Sequence, residues 1–117
     1  MEAQAQSHLL LQDEQQALTV SPTRAGAQGI SLGKSTTSDF VFCAAHTSRQ
    51  HARIVYRNND YFLVDESTNG TFVQTEDQAV VHLHRDELRL WGSGWISLGE
   101  PLHKVNPIAF NAGTARS

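Results

Sequence analysis

The chain has 117 residues, of which 39% are hydrophobic and 18% charged, and its net charge is -3. This length suits one domain, the composition is that of a globular protein rather than a disordered one, and the acidic charge argues against a broad nucleic-acid surface. Cys43 is the single cysteine, so an intrachain disulfide is excluded and a reducing, cytoplasmic setting is expected. The apolar run Leu9-Leu10-Leu11 is too short for a membrane span or a signal peptide.

Short runs of branched and aromatic residues recur along the chain, separated by Gly, Asn, Asp, Ser and Pro, whereas helical periodicity is nearly absent. This pattern predicts many short strands, several of which alternate apolar with polar residues as half-buried strands do. The predicted strands are His8–Gln12, Ala17–Val20, Gly29–Leu32, Phe40–Cys43, Ala52–Arg57, Tyr61–Asp65, Thr71–Gln74, Val80–His84, Glu87–Trp91, Trp95–Leu98 and Pro107–Asn111. We therefore predict an all-β fold, a β-sandwich of about eleven mostly antiparallel strands. It would occupy residues 8–111, with flexible ends at 1–7 and 112–117.

Two turns carry hairpin signals. Asn58-Asn59-Asp60 is predicted to join Ala52–Arg57 to Tyr61–Asp65. Asn69-Gly70 accepts positive φ at low cost, which predicts a second hairpin between Tyr61–Asp65 and Thr71–Gln74.

Three loops hold polar residues that the scaffold alone does not require. They are Gly33-Lys34-Ser35-Thr36, Thr47-Ser48-Arg49-Gln50-His51 and Ser67-Thr68-Asn69-Gly70-Thr71. Together they offer a lysine, an arginine, several hydroxyls, an amide side chain and backbone N–H groups freed by glycine. Such a set suits a tetrahedral dianion, whose oxygens accept charged, hydroxyl and amide donors.

The local charge around the first two loops is positive. Between Gly33 and Arg57 the cations are Lys34, Arg49, Arg53 and Arg57, against Asp39 alone. Arg53 and Arg57 fall on a predicted strand and are expected to be solvated, whereas Lys34 and Arg49 lie beside hydroxyls in loops. We therefore assign Lys34 and Arg49 to a binding site.

Three other chemistries fit less well. Gly33-Lys34-Ser35 resembles the end of a nucleotide-binding P-loop, but Gln28 stands where that motif needs glycine, and a strand follows where it needs a helix. His82 and His84 share a strand face, as in some zinc sites, but no third ligand has diagnostic spacing. Ser48 and His51 lack the Gly-x-Ser-x-Gly elbow of a nucleophilic serine. The sequence therefore predicts neither an enzyme nor a metal or cofactor site.

In this order, the three loops resemble the forkhead-associated (FHA) domain family. The resemblance runs from about Ile30 to Leu98 and is carried by Gly33-Lys34, by Ser48-Arg49-Gln50-His51-Ala52, by Asp65 to Val73 and by Asp86 to Leu90. It implies an eleven-strand β-sandwich whose loops bind phosphothreonine peptides. The stretches Leu83–Leu88 and Gly92–Ile96 are similar to FHA domains appended to bacterial class III adenylate cyclases, which implies a regulatory or docking role in bacterial signalling.

The resemblance also implies a role for each loop residue. Ser48, Arg49 and Thr68 would contact the phosphate, and Asn69 the ligand main chain. Beneath them His51 would tie the loops together, while Gly33 and Gly70 would support the backbone.

One position departs from the family, because Lys34 stands where arginine is usual. Lysine is a compact point charge without the two-pronged geometry of arginine. Two outcomes follow: either Lys34 binds phosphate at lower affinity, or the site has decayed. The first is favoured because every other contact position is occupied.

The expected partner is a phosphothreonine-containing protein or peptide, with no role for nucleic acid or membrane, and the isolated domain is expected to be a monomer. The alternative from another functional class is a phosphate-independent interaction or oligomerisation domain. It would use a sheet face that involves Trp91, Trp95 and the histidines rather than the loops.

Overall fold

The computed structural model of the protein describes residues 8–113. Those residues form eleven strands, one short helix, α1, and one 3₁₀ turn. In chain order they are β1 (Leu9–Gln12), β2 (Ala17–Val20), α1 (Pro22–Ala25), β3 (Ile30–Gly33), β4 (Phe40–Val41), β5 (Ala52–Arg57), β6 (Asp60–Asp65), β7 (Thr71–Gln74), β8 (Val80–Leu83), β9 (Glu87–Leu90), β10 (Ser93–Leu98), the 3₁₀ turn (Leu102–Lys104) and β11 (Ile108–Asn111).

The strands form two packed sheets. One has six strands in the order β2-β1-β11-β10-β7-β8, and the other has five in the order β4-β3-β5-β6-β9. Every pairing is antiparallel except β3 with β4. The predicted all-β sandwich of about eleven mostly antiparallel strands is confirmed.

Alternate side chains from each sheet fill the space between the layers. Leu9 and Leu11 from β1, Ile54 from β5, Leu63 from β6 and Ile96 from β10 have no exposed surface. Each such side chain contributes roughly 1.5–3 kcal/mol through its burial. The period-two pattern read from the sequence is therefore the pattern that builds the core.

The two hairpin predictions have opposite outcomes. Asn58 and Asn59 both have positive φ, at 53° and 66°, and close a two-residue turn between β5 and β6, so the first prediction is confirmed. The second is wrong, because β6 pairs with β5 and β9 whereas β7 pairs with β10 and β8 in the other sheet. The loop from Glu66 to Gly70 therefore crosses between the sheets instead of closing a hairpin.

Smaller differences concern α1 and the strand ends. Ser21 caps α1 by accepting a hydrogen bond from Arg24 N at 3.1 Å, and proline occupies the first helical position. The strand predicted at Phe40–Cys43 stops at Val41. Of the ends predicted to be flexible, residues 1–7 and 114–117 lie outside the described residues. Within 8–113 no helix has the length and hydropathy required to span a membrane.

The pairing register shows which elements meet at each end of the sandwich. Leu98, the last residue of β10, pairs with Thr71 at the start of β7. At the other end Ser93 pairs with Asn111, and Asn111 pairs with Leu10. The beginning of β1 and the end of β11 therefore lie at the end opposite the loop that precedes Thr71.

Candidate functional site

Hydrogen bonds bring the three polar loops together at one end of the sandwich. Lys34 N donates to Ser48 O at 3.0 Å, and Ser35 N donates to Arg49 O at 3.1 Å, which joins the β3–β4 loop to the β4–β5 loop. Thr68 N donates to Ser48 Oγ at 3.3 Å, which joins the loop between β6 and β7 to the same point. These hydrogen bonds bring together the loops that contain Lys34, Ser48, Arg49 and Thr68, as the sequence predicts.

Gly33 permits this close approach. A Cβ atom at this position would lie 2.9 Å from the carbonyl carbon of Arg49 and 2.9 Å from His51 N. Any other residue would push the β3–β4 loop away from Ser48 and Arg49.

His51 lies beneath the loops and has no exposed surface. Ser48 N donates to its Nδ1 at 3.0 Å, so the ring proton is on Nε2, which donates to Gly70 O at 2.8 Å. Burial lowers the pKa of His51, although the Gly70 hydrogen bond and the Asp65 carboxylate oppose that shift. A neutral imidazole thus ties the loop of Ser48 to the loop of Gly70.

Asp65 organises the loop between the sheets and was given no role by the sequence. Its buried carboxylate accepts hydrogen bonds from Ser67 Oγ at 2.7 Å, Thr71 Oγ1 at 2.6 Å and Arg85 N at 2.8 Å. Burial alone would raise the pKa of Asp65, but these hydrogen bonds outweigh it and the pKa is lowered. An ionised, fully hydrogen-bonded carboxylate therefore fixes both ends of this loop.

Gly70 and two histidines complete the support of the same loop. Gly70 has φ +88°, a conformation that favours glycine, and its N–H donates to Ser67 Oγ at 2.7 Å. From β8 and the residue after it, His82 Nε2 lies 3.3 Å from Asn69 O and His84 Nε2 lies 3.1 Å from Thr68 O. These contacts leave the side chains of Thr68 and Asn69 exposed.

The four cations between Gly33 and Arg57 divide into two kinds. Arg53 pairs with Glu66 at 2.9 Å, and Arg57 pairs with Glu87. In contrast, the exposed side chains of Lys34 and Arg49 have no ion-pair or hydrogen-bond partner anywhere in the described part of the chain. Uncompensated positive charge is therefore concentrated at the joined loops.

The loop after β10 also reaches the site, because Glu100 in that loop contacts His46 of the β4–β5 loop. The imidazole Nδ1 of His46 lies 2.7 Å from Glu100 Oε2, and the backbone carbonyl of His46 accepts a hydrogen bond from Asn69 Nδ2 at 3.1 Å. The hydrogen bond with His46 lowers the pKa of Glu100. The loop after β10 thus braces Asn69 and the β4–β5 loop.

Some of these support residues had a detectable signal in the sequence. Asp65 followed two positions later by Ser67 is typical of an Asx-type turn, in which the carboxylate accepts local N–H groups. No local pattern indicates the contact between His46 and Glu100, which are 54 positions apart.

His82 and His84 lie against the loop between β6 and β7 rather than in a cluster of metal ligands, as far as residues 8–113 show. Among residues 8–113 no group of three or more His, Cys, Asp or Glu side chains is placed to hold a metal ion. His82 stacks on Phe72 with ring centroids 4.1 Å apart. The two histidines instead contact the backbone of the loop between β6 and β7.

Comparison with known proteins agrees with this architecture. The fold is similar to Mycobacterium tuberculosis Rv1747 FHA-1, with a TM-score of 0.72 and 16% identity over 93% of this chain and 99% of that one. It is also similar to Mycobacterium tuberculosis EmbR in complex with a low-affinity phosphopeptide, with a TM-score of 0.67 and 21% identity over 95% of this chain and 26% of EmbR.

A third solved structure is the MEK1 FHA domain in complex with a HOP1 phosphothreonine peptide. It has a TM-score of 0.64 and 18% identity, over 90% of this chain and 96% of that one. No curated protein matches the sequence. The sequence model of the FHA domain matches residues 30–90, which is more than half of the chain. The protein therefore belongs to the FHA domain family.

Proposed function

We propose that this protein is a phosphothreonine-dependent protein-binding module that acts as a regulatory or docking domain in bacterial signalling. The observation that carries the proposal is the placement of Lys34 and Arg49, two exposed cations that have no carboxylate partner among residues 8–113, where the loops of Ser48 and Thr68 meet. A phosphate dianion would supply the negative charge that the protein itself does not provide there.

The family supports the same function. FHA domains are binding modules rather than enzymes, and two of the similar structures, EmbR and the MEK1 FHA domain, are complexes with phosphopeptides. The absence of catalytic activity in this chain follows as a prediction.

Each site residue has a proposed contact. Ser48 Oγ accepts a hydrogen bond from Thr68 N, so its own proton is available to donate to the phosphate. Lys34 and Arg49 supply charge, and Thr68 adds its exposed hydroxyl. Asn69 Nδ2 is bonded to His46 O, which leaves the amide oxygen to accept a main-chain N–H of the ligand.

The proposal is tested by measuring affinity for phosphothreonine peptides from a degenerate library. Charge-assisted hydrogen bonds contribute roughly 1.5–3 kcal/mol each, so two or three of them, less the ordering cost, give micromolar affinity. Ser48→Ala should weaken binding at least about tenfold through the loss of one such bond. Ser93→Ala, an exposed serine at the opposite end of the sandwich, is the matched control and should bind like the parent.

Two results would count against the proposal. If unphosphorylated threonine peptides bind as tightly as phosphorylated ones, the loops do not recognise phosphate. If Ser48→Ala and Ser93→Ala bind equally well, the phosphate does not contact the loop of Ser48.

Two finer predictions rest on the sequence. The resemblance of the C-terminal stretches to cyclase-appended domains predicts attachment to a class III adenylate cyclase, and the comparisons contain nothing that supports it. A cytoplasmic location is predicted because Cys43 is the single cysteine, which fits a reducing compartment. Co-purification of the protein with cyclase activity would test the first prediction.

A further inference from the structure

The two sheets differ in how charge is distributed over them. The strands of the six-stranded sheet contain no Asp, Glu, Lys or Arg at any position. The five-stranded sheet, by contrast, carries charged pairs on its outer face, among them Arg57 with Glu87 and Arg89 with Asp60. Because isolated sheet surfaces are normally kept soluble by charge, the uncharged face is the one suited to contact another molecule.

Exposed hydrophobic side chains are concentrated on the same face. The large hydrophobic residues that are exposed in the described part of the chain are Leu10, Val80 and Trp95, at 37%, 57% and 46%. They lie on β1, β8 and β10, and each alternates with neighbours that point into the core. All three therefore project from the outer face of the six-stranded sheet.

A hollow lies directly beside Trp95, the largest of these side chains. Its volume is about 360 Å³, and Trp95 lines it together with residues that include Leu10, Gln12, Gln74 and Ala109. Glu76, from the turn after β7, also lines it. A protruding indole next to a hollow large enough to hold an indole is a self-complementary arrangement.

We propose that the outer face of the six-stranded sheet binds a second copy of this chain. In a twofold dimer each Trp95 would enter the hollow of the other copy, so that both hollows are filled by the same contact. The acidic net charge of each chain is carried outside these strands, so this face brings two copies together with the least repulsion.

The size of the face sets the strength of the contact. The six strands are spaced about 4.8 Å apart, and five of them are four residues long while β10 has six, so the face covers roughly 24 by 13 Å, and about 20 Å along β10. This is smaller than a standard interface of about 800 Å² per partner, so we expect a reversible dimer that forms at high micromolar concentration. The dimer replaces the monomer expected from sequence and is independent of phosphate binding.

The test is sedimentation velocity of the whole chain between about 10 μM and 1 mM, the range in which a weak interface becomes populated. As its concentration increases, the apparent mass of the parent protein should rise from that of a monomer towards that of a dimer. Gln12→Lys places a charge beside Trp95 and should weaken the dimer at least about tenfold, whereas Gln28→Lys makes the same change outside the six-stranded sheet and should not. Both variants should bind phosphopeptides like the parent.

The effect of added salt on dimerisation is a second test of the proposal. A dimer held by apolar contact, with the Glu76 carboxylate of each copy lining a hollow, should be strengthened or unchanged by added salt, whereas phosphopeptide binding should be weakened by it. A constant monomer mass would overturn the proposal, as would equal behaviour of Gln12→Lys and Gln28→Lys. Growth beyond a dimer would overturn the twofold arrangement. Each result is separate from the outcome of the phosphopeptide assay.

Discussion

Replacement of Asp65 by asparagine tests whether the buried carboxylate holds the loop between the sheets. Asp65→Asn keeps the size of the side chain, but its amide has only one acceptor oxygen where the carboxylate has two. The carboxylate accepts three hydrogen bonds of 2.6 to 2.8 Å. In Asp65→Asn each of these hydrogen bonds would have a neutral acceptor instead of a charged one. A hydrogen bond to a charged group is stronger than a neutral one by about 1 kcal/mol.

The expected loss is therefore about 3 kcal/mol in the free energy of unfolding. Urea denaturation should show a midpoint lower by roughly 1–3 M, with an unchanged slope. The matched control is Asp60→Asn on the same strand, where the exposed carboxylate pairs with Arg89 at 3.3 Å. An exposed pair contributes about 0–1 kcal/mol, so the control should change little. Equal effects of the two substitutions would refute the assignment of Asp65 as the organiser of the loop.

Three further predictions concern His51, Gly70 and Lys34. Burial lowers the pKa of His51 in the folded protein. Below about pH 6.5, therefore, His51 takes up a proton in the unfolded chain but stays neutral in the folded one. The unfolding free energy should then fall towards pH 5, by up to about 1.4 kcal/mol per pH unit for this group; a flat profile in urea titrations would contradict this. Gly70→Ala should cost at least about 2 kcal/mol, because the new Cβ would lie 2.7 Å from Leu83 O at positive φ. Gly113→Ala has similar φ but open space, so in thermal unfolding it should cost clearly less. Lys34→Arg should tighten phosphopeptide binding through two-pronged contact, and calorimetry showing no gain would place Lys34 away from the phosphate.

Local patterns in the sequence were sufficient for the strands and for the turn at Asn58-Asn59. They were not sufficient for the loop that ends at Gly70. An Asn-Gly pair indicates a sharp turn, but it does not reveal whether the next strand joins the same sheet or the opposite one. That choice depends on the pairing of β7 with β10, which is more than twenty positions further along the chain.

The candidate site shows the same division between local and distant information. The loop residues could be named because each set is contiguous in sequence. Asp65 has a local signal in its turn with Ser67, but its contact with Arg85 N, like the contact between His46 and Glu100, joins residues far apart in the sequence and has no local signal. For the same reason, the shared face of Leu10 and Trp95 becomes visible only in the sheet register.

The placement of the first and last strands has a consequence for how the protein can be joined to others. The chain enters β1 and leaves β11 side by side, away from the joined loops. A fusion partner attached before Leu9 or after Asn111 would extend from that side and leave the cationic end unobstructed. The module is therefore suited to bridging, with a tethered domain on one side and a captured ligand on the other.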